Sequence, residues 1–248
     1  MTADASLTWI GHATTLLERS GFRVLTDPLL RRRVAHLRRR QGPDPATPEV
    51  DVVILSHAHM DHLHVPSLRR LAADTPVIAP RGTARLLRQA GRREIIEVTV
   101  GDRVDVGHAT VTVLPADHPG GRGPHSRIAA EPVGFVIEIA GHRTYFAGDT
   151  DLFDEMADLG PVDLALLPIW GWGPSIGVGH LDPERAVEAA ERIRPGLVVP
   201  IHWGTFAPED LRRRPPAWLG APAEQFERAL GSSDVTARVL HPGDRTQL

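Results

Sequence analysis

The sequence contains no cysteine, no lysine and no asparagine. Without cysteine the chain has no disulfide, no thiol nucleophile and no cysteine-ligated zinc or iron–sulfur cluster. Without lysine it has neither a Schiff-base lysine nor the lysine of a phosphate-binding P-loop. These absences exclude several classes of catalytic mechanism at once.

The chain also lacks a large excess of charge of either sign. Its 248 residues carry 28 basic and 31 acidic side chains, for a formal net charge of -3. A dedicated nucleic-acid-binding domain shows a strong basic excess, so we expect no nucleic-acid partner. The length fits one globular domain over residues 1–248, and a domain of this size folds without a structural metal. Any metal that it binds is therefore expected to serve chemistry.

Long apolar runs are missing as well. No run approaches the ~20 residues that a membrane-spanning helix needs, so we expect no transmembrane segment. Residues 1–6 lack the basic and apolar regions of a secretory signal. These features predict a cytoplasmic protein, and they leave self-association into an oligomer open.

Short apolar runs alternate with turn residues and helical stretches along the whole chain. The predicted strands are, in chain order, 7–10, 14–18, 22–26, 50–56, 77–79, 103–106, 110–114, 133–139, 143–146, 164–167 and 197–201. The predicted helices are 66–73, 83–90 and 183–192. Hairpins in the first and middle parts are mixed with β–α–β units. This mixture predicts an α/β fold with two packed sheets and helices outside them, a four-layer αββα sandwich.

The most informative motif is H-x-H-x-D-H, formed by His57, His59, Asp61 and His62 directly after the apolar run 52–55. A solvated polar loop is the alternative interpretation. Four imidazole or carboxylate groups at a strand end are costly to leave without a shared partner, however. A tight loop after a strand can direct alternate side chains to opposite sides, so His57 and His59 would bind one metal while Asp61 and His62 bind a second.

A catalytic centre with two metals needs further ligands from other strand ends that reach the same edge. His118, Asp149 and His202 each follow an apolar run. Taken singly, each also fits a hydrogen-bonded core or surface residue, or a turn. The repetition of one arrangement, an apolar run ending in His or Asp, favours a metal site. Imidazole and carboxylate ligands suit zinc, iron or manganese, and zinc is favoured among them.

These motifs resemble those of the metallo-β-lactamase-fold hydrolases. Within that superfamily, the chain resembles the branch that contains N-acyl-phosphatidylethanolamine phospholipase D and ascorbate-6-phosphate lactonase. The resemblance covers nearly the whole chain, through the segments 9–14, 25–28, 56–63, 145–150, 180–184 and 201–206. It implies two divalent metal ions, with Zn²⁺ expected and Mn²⁺ or Fe²⁺ as alternatives. The seven ligands that it implies are His57, His59 and His118 for the first metal, Asp61, His62 and His202 for the second, and Asp149 as the bridge.

The resemblance also implies a hydrolytic mechanism. Two neighbouring cations lower the pKa of a shared water towards roughly 7, and the resulting hydroxide is the expected nucleophile. Asp61 would orient that hydroxide or accept its proton. His180 occupies the place of a histidine that, in the resembled family, faces the substrate without binding metal. It would donate a hydrogen bond to the oxygen that gains charge, or act as a general acid on the leaving group. The alternative for His180 is a surface histidine beside a helix that begins at the N-cap Asp182.

The expected reaction is cleavage of an ester-type bond, most of all a phosphodiester as in the phospholipase. A lactonase acting on an anionic or phosphorylated lactone is the alternative. A nuclease and a non-catalytic metal-binding protein remain open as less favoured functions. The metals and an anionic small-molecule substrate are the expected partners.

Arginine clusters supply a second clue about the substrate. They lie at 31–33, 38–40 and 212–214, and Arg122 and Arg127 flank a glycine-rich turn. A solvated loop face is the alternative to a cationic rim that concentrates anionic substrates.

The segment 169–173 contains two tryptophans between glycines. It is expected either to pack under the sheets or to form an aromatic wall of the pocket.

Overall fold

The computed structural model describes residues 5–123, 126–209, 216–231 and 233–248. The strands are β1 (Ala5–Gly11), β2 (Thr14–Arg19), β3 (Phe22–Thr26), β4 (Arg33–Val34), β5 (Leu37–Arg39), β6 (Val52–Ile54), β7 (Val77–Pro80), β8 (Ile95–Val98), β9 (Arg103–Val106), β10 (Ala109–Pro115), β11 (Val133–Ile139), β12 (His142–Phe146), β13 (Leu164–Pro168), β14 (Leu197–Ile201), β15 (Phe206–Pro208) and β16 (Arg245–Gln247). The α-helices are α1 (Val65–Leu68), α2 (Ala84–Gln89), α3 (Pro183–Ile193) and α4 (Ala221–Leu230).

Two large sheets form the framework. The first has the order β16-β1-β2-β3-β6-β7-β8, and the second has the order β14-β13-β12-β11-β10-β9. Each begins as antiparallel hairpins and continues as parallel strands, from β3 to β8 in the first sheet and from β12 to β14 in the second. A small third sheet joins β15, β5 and β4.

Apolar side chains on both faces of each sheet account for the layered architecture. Ile54 of β6 belongs to the same buried cluster as Phe135 of β11, between the sheets, and that cluster extends to Phe226 of α4. The adjacent Val53 lies on the opposite face of β6, because side chains alternate along a strand, and it packs in a second cluster with Leu68 of α1. Helices therefore cover the outer faces of both sheets, which confirms the predicted αββα sandwich.

The predicted helix 66–73 is wrong in length, since α1 ends at Leu68. Beyond it the chain continues in tighter turns, with Arg70 N–H donating to Ser67 and Leu71 N–H donating to Leu68. The Arg92 guanidinium donates to the carbonyls of Leu71 and Ala72 at 2.9 and 2.7 Å. These bonds satisfy the backbone without a longer helix. The strands β4, β5, β8, β15 and β16 and the helix α4 are additional to the predicted elements.

The ends of six strands gather the polar residues at one edge of the sandwich. Side chains from these ends approach one another closely enough to share metal ions. The strands and the residues that follow them are β1 with His12, β3 with Asp27, β6 with His57, β10 with His118, β12 with Asp149, and β14 with His202.

In the part of the chain that the structure describes, no helix combines the length and apolar character needed to cross a membrane.

Candidate metal centre

The first group of candidate ligands contains His57, His59 and His118, as the sequence predicts. His59 Nδ1 lies 2.9 Å from His57 Nε2 and 3.1 Å from His118 Nε2. His57 is buried at the end of β6, His118 reaches in from the loop after β10, and His59 is partly exposed. Their nitrogen atoms are close enough to bind one ion together.

The second group contains Asp61, His62 and His202, together with His12. His62 Nε2 lies 3.1 Å from His202 Nε2 and 3.9 Å from Asp61 Oδ2. His12 Nε2 lies 3.0 Å from the same Asp61 oxygen. These four side chains also come close enough to share an ion, and His12 was not among the residues predicted for the site.

Asp149 lies between the two groups, in the place expected of a bridge. Its Oδ2 is 3.1 Å from His62 Nε2 and 3.9 Å from His57 Nε2. Its Oδ1 is 3.1 Å from His202 Nε2. Gly148 allows this approach, because its φ is +64° and an added Cβ would lie 2.5 Å from the Ser56 side chain.

Outer hydrogen bonds fix which histidine nitrogens face the centre. The Nδ1 atoms of His118 and His202 lie 2.7 Å from the carbonyls of Gly179 and Trp170. Carbonyl oxygens only accept hydrogen bonds, so both Nδ1 atoms carry protons and both Nε2 atoms present lone pairs inward. Such outer partners orient metal-binding histidines in general.

Asp27 performs the same task from the end of β3. It is fully buried, and its Oδ2 accepts from Ser56 Oγ at 2.5 Å and from His62 Nδ1 at 2.6 Å. Because the Ser56 hydroxyl donates to Asp27, it accepts from His57 Nδ1 at 2.9 Å. Asp27 thereby orients one histidine of each group.

The pKa values reflect these buried charges. Burial alone would raise the pKa of Asp149, but the neighbouring histidines, His202 and His62 foremost, lower it well below its usual value. Burial likewise opposes the low pKa of Asp61, which His62 and His12 produce. His62 has a pKa well above its usual value, because Asp149, Asp27 and Asp61 outweigh its burial. The carboxylates and imidazoles of the centre are therefore strongly coupled to one another.

The residues present fit divalent cations. The protonated Nδ1 of His202 leaves its Nε2 as an acceptor, and that acceptor faces Asp149 Oδ1 across 3.1 Å. Asp149 Oδ1 is buried, and no described residue donates a hydrogen bond to it. Acceptors that face one another without a hydrogen need a cation between them, since a buried unpaired acceptor is costly. The imidazole and carboxylate donors match zinc, iron and manganese.

His180 lies beside the groups and is partly exposed. Its Nε2 is 3.4 Å from Asp149 Oδ2, and its Nδ1 is 3.1 Å from the Val178 carbonyl. Asp182 is the N-cap of α3, as predicted, and its carboxylate accepts from Arg185 N–H. His118, Asp149 and His180 also form a group that could share an ion.

A cavity of about 490 Å³ opens beside the centre. It reaches Asp61, Asp149 and His180, and the walls around them are mainly apolar. The apolar lining residues are Val34, Ala35 and Leu37 of the β4–β5 hairpin, Met60 of the H-x-H-x-D-H loop, and Trp172 and Ile176 of the loop after β13. The ring of Trp172 contacts His36 edge-on, with centroids 5.1 Å apart, so the two covering segments touch.

The segment 169–173 serves both of the roles considered for it. Trp170 packs against the main core and donates from Nε1 to the Gly173 carbonyl at 2.9 Å. Trp172 lines the cavity and is 37% exposed.

The two arginine clusters that the structure describes, 31–33 and 38–40, do not line this cavity. Residues 31–33 line a separate groove, where Arg32 pairs with Asp44 at 2.7 Å. Arg39 is buried and donates to the Ile10 carbonyl. Residues 212–214 lie outside the described residues. Among the described residues that line the cavity, Arg122 alone is permanently cationic, and its Nη1 donates to the backbone of the H-x-H-x-D-H loop.

Comparison with known proteins agrees with this geometry. Residues 22–203 match the family model described as a beta-lactamase superfamily domain. A UPF0173 metal-dependent hydrolase of Carboxydothermus hydrogenoformans is 31% identical and aligns over 98% of this chain and 99% of its own. The N-acyl-phosphatidylethanolamine-hydrolyzing phospholipase D 1 of Caenorhabditis elegans is 30% identical, over 80% of this chain and 64% of its own.

Among solved structures, the metallo hydrolase Igni18 of Ignicoccus hospitalis is 25% identical, with a TM-score of 0.72 over 98% of both chains. The family match, the αββα sandwich and the clustered histidines and aspartates confirm the resemblance of the motifs. The chain belongs to the metallo-β-lactamase superfamily and is one of its metal-dependent hydrolases.

Proposed function

We propose that this hydrolase cleaves phosphodiesters that carry an apolar ester group, with two divalent cations, Zn²⁺ foremost. The observation that carries the proposal is the position of Asp149 between two histidine groups at the floor of an apolar cavity. The ligands would be the seven predicted residues, His57, His59, His118, Asp61, His62, His202 and Asp149. When bound, the cations supply a lowered pKa for water and withdraw electron density from the bond under attack.

The protein's own groups would then handle the protons. Asp61 lines the cavity, so its carboxylate can accept a hydrogen bond from the attacking water and orient it. His180 lines the cavity too, and the Val178 carbonyl accepts from its Nδ1. Burial lowers the pKa of His180, but the hydrogen bond and charge of Asp149 raise it above its usual value overall. His180 lies at the cavity with Nδ1 bonded to the backbone, so its Nε2 would protonate the leaving oxygen.

The charge of the cavity favours a diester over a monoester. A phosphodiester carries one negative charge, which Arg122 and the cations would balance. A phosphomonoester carries two, and the described cavity walls supply little further positive charge for it. Apolar walls bind an apolar ester group by removing its surface from water. The activity named for the Caenorhabditis elegans relative, hydrolysis of a phospholipid, supports the same bond type.

A lactone is the second candidate substrate. Arg122 Nη1 is already occupied by the carbonyls of Ala58 and Leu63, at 3.0 and 3.1 Å. Because Nη1 already has these two acceptors, a neutral lactone in the cavity would leave no unpaired donor at this atom.

The test combines metal analysis with parallel substrate panels. Purified protein should hold close to two transition-metal ions per chain, and Asp149→Ala should lower occupancy at both sites. Bis(p-nitrophenyl) phosphate should be cleaved faster than p-nitrophenyl phosphate and faster than γ- and δ-lactones. Faster turnover of lactones than of bis(p-nitrophenyl) phosphate would contradict the phosphodiester proposal and favour a lactonase. Bound metal without turnover on any panel would indicate a non-catalytic protein, and steep salt-dependent binding to nucleic acid would revive a nuclease.

A further inference from the structure

His12 lies at the centre of the site, although the motif that contains it gave it no role. It follows β1 and is 1% exposed. Its N–H donates to Thr205 Oγ1 at 2.8 Å, and its carbonyl accepts from the His202 N–H at 2.9 Å and from Trp9 Nε1 at 2.8 Å. Three hydrogen bonds, two of them to distant parts of the chain, therefore fix the backbone of His12.

The backbone at this position is also strained. His12, Asp27 and His202 have φ values of 54°, 30° and 64°, a region that side chains other than glycine rarely adopt. Such conformations persist only where the surrounding structure holds them. Two of the three are histidines that share a backbone hydrogen bond. His12 and His202 are therefore joined through their backbones as well as through the contact between their rings.

The residues just before His12 are also closely packed, which restricts the backbone at the end of β1. Gly11 has a φ of +132°, and a Cβ there would lie 2.8 Å from Thr205 Cγ2. The buried Arg39 guanidinium donates to the Ile10 carbonyl at 3.0 and 3.1 Å. The end of β1 is thus clamped on both sides just before His12.

The side chain is equally well placed. Its ring lies over the ring of His202 with centroids 3.8 Å apart, and the edge of Phe206 approaches at 5.8 Å. Its Nε2 lies 3.0 Å from Asp61 Oδ2, an ordinary length for an N–H···O hydrogen bond. A carboxylate oxygen accepts hydrogen bonds, so the His12 Nε2 atom donates the hydrogen in this contact.

We propose that His12 is a positioning residue for Asp61. By donating to Oδ2, the oxygen that also faces His62 Nε2, it holds the carboxylate in one orientation towards the second group. The Nε2 proton that makes this bond removes the lone pair that a metal ligand needs, so His12 acts through Asp61 and does not bind the ion itself. This inference rests on the proposed function, because it assigns Asp61 to the second ion.

The test compares His12→Ala with His12→Gln, whose amide nitrogen can occupy the place of Nε2, in protein loaded with Co²⁺. We expect His12→Ala to bind two Co²⁺ at saturation but to weaken one of them by about 10–100-fold, as loss of an outer hydrogen bond to a ligand does. Its visible Co²⁺ spectrum should shift, while His12→Gln should restore most of the affinity and spectrum. His241→Ala, a histidine that contacts Trp203 edge-on with centroids 6.3 Å apart, is the matched control and should leave both unchanged.

Other outcomes overturn the inference. Loss of one Co²⁺ from His12→Ala at saturating metal would make His12 a ligand. An unchanged Co²⁺ affinity and spectrum would show that Asp61 does not need it. Unfolding of both variants, seen by circular dichroism, would assign His12 a structural role. None of these measurements uses a substrate, so failure of phosphodiester hydrolysis is separate from failure of the inference.

Discussion

His180 and His202 approach the same carboxylate but are held differently. His202 is buried, and the carbonyl of Trp170 accepts from its Nδ1 at 2.7 Å. The His180 side chain is 21% exposed, and its Nδ1 has longer contacts, 3.1 and 3.3 Å, with the carbonyls of Val178 and Gly177. A rigid, buried imidazole suits a ligand, whereas a partly exposed one beside a cavity suits contact with substrate.

Removing these two side chains should therefore have different effects. His180→Ala should keep both metals and the fold but lose about 10²–10⁴-fold in kcat/KM, the usual contribution of a general acid. His202→Ala should lose metal as well as activity. Elemental analysis and steady-state kinetics on the same preparations decide between the roles. Metal loss from His180→Ala would make it an eighth ligand, and unchanged kcat/KM would remove it from catalysis.

His64, just beyond the H-x-H-x-D-H motif, should make stability depend on pH. Burial, Arg122 and Arg31 lower its pKa to about 4, against an ordinary value near 6.5. The unfolded chain therefore takes up a proton that the folded chain refuses, and folding stability falls as the pH drops from about 6.5 to about 4. The loss is at most about 3 kcal/mol.

The measurement is urea unfolding of chelated protein at pH 7 and pH 4.5. His64→Gln keeps a partner for Ser67, whose Oγ lies 2.7 Å from His64 Nδ1, but it cannot be protonated. Its stability should fall less on acidification than that of the natural protein. Since all other histidines are common to both chains, an identical decrease would contradict this origin.

How far the site could be predicted depends on the range of its contacts. The H-x-H-x-D-H spacing placed four groups on one loop, and the structure brings all seven predicted ligands together. Asp27 and His12 reach His62 and Asp61 across 35 and 49 residues of sequence. In the sequence, Asp27 and His12 are single polar residues after a strand. Their hydrogen-bond partners and their positive φ values are visible only in the folded chain.

At the scale of elements, two segments cover the cavity. One is the β4–β5 hairpin with the turn at Ala35 and His36, and the other is the loop over 171–177. They meet where His36 contacts Trp172. Because Trp172 is 37% exposed, its indole has surface left for a ligand to cover.

Trp172→Ala should weaken binding more than it slows chemistry. Covering the free part of the indole contributes on the order of 1–1.5 kcal/mol, so KM for a diester with an aromatic ester group should rise about tenfold. The value of kcat and the metal content should stay near those of the natural protein. Val100→Ala, another exposed apolar position, is a control outside the cavity lining. A rise in KM as large for Val100→Ala would argue against a wall at Trp172.

Elements bounded by clear turn residues were predicted closely. The bounds of β3, β9, β11 and β14 match the predicted segments, because alternating apolar residues end at glycine, proline or charged residues there. The β4–β5 hairpin was not predicted, since its arginines resemble a solvated loop. It forms because Arg39 is buried under Phe206, 5.5 Å from the ring centroid, and β5 pairs with the distant β15.

At the scale of the molecule, the metal centre joins the two sheets. His57, His59, Asp61 and His62 follow β6 of the first sheet. His118, Asp149 and His202 follow β10, β12 and β14 of the second sheet. Ions shared between these sets would cross-link the layers of the sandwich at one edge.

Chelation should therefore destabilise the whole fold. An ion that binds only the folded chain at a thousand times its Kd adds about 4 kcal/mol to stability. The urea midpoint of the natural protein should rise with free Zn²⁺, and Asp149→Ala should show a much smaller rise. A midpoint that does not change while elemental analysis confirms removal of the metal would contradict this cross-link.

The hydrogen bond from His118 Nδ1 to the Gly179 carbonyl ties a predicted ligand to the residue next to His180. The segment cannot easily slip, because a Cβ on Gly179 would lie 2.6 Å from Pro119 Cδ. Ordering His118 by metal thus orders the backbone that presents His180 to the cavity. Coupling between two binding events is reciprocal. If bound metal raises the affinity for a ligand at His180, that ligand raises the affinity for the metal by the same factor. Product bound in the cavity would then raise the affinity of the enzyme for the ion. A chelator concentration that removes the metal from the resting enzyme would leave it in the enzyme with product bound.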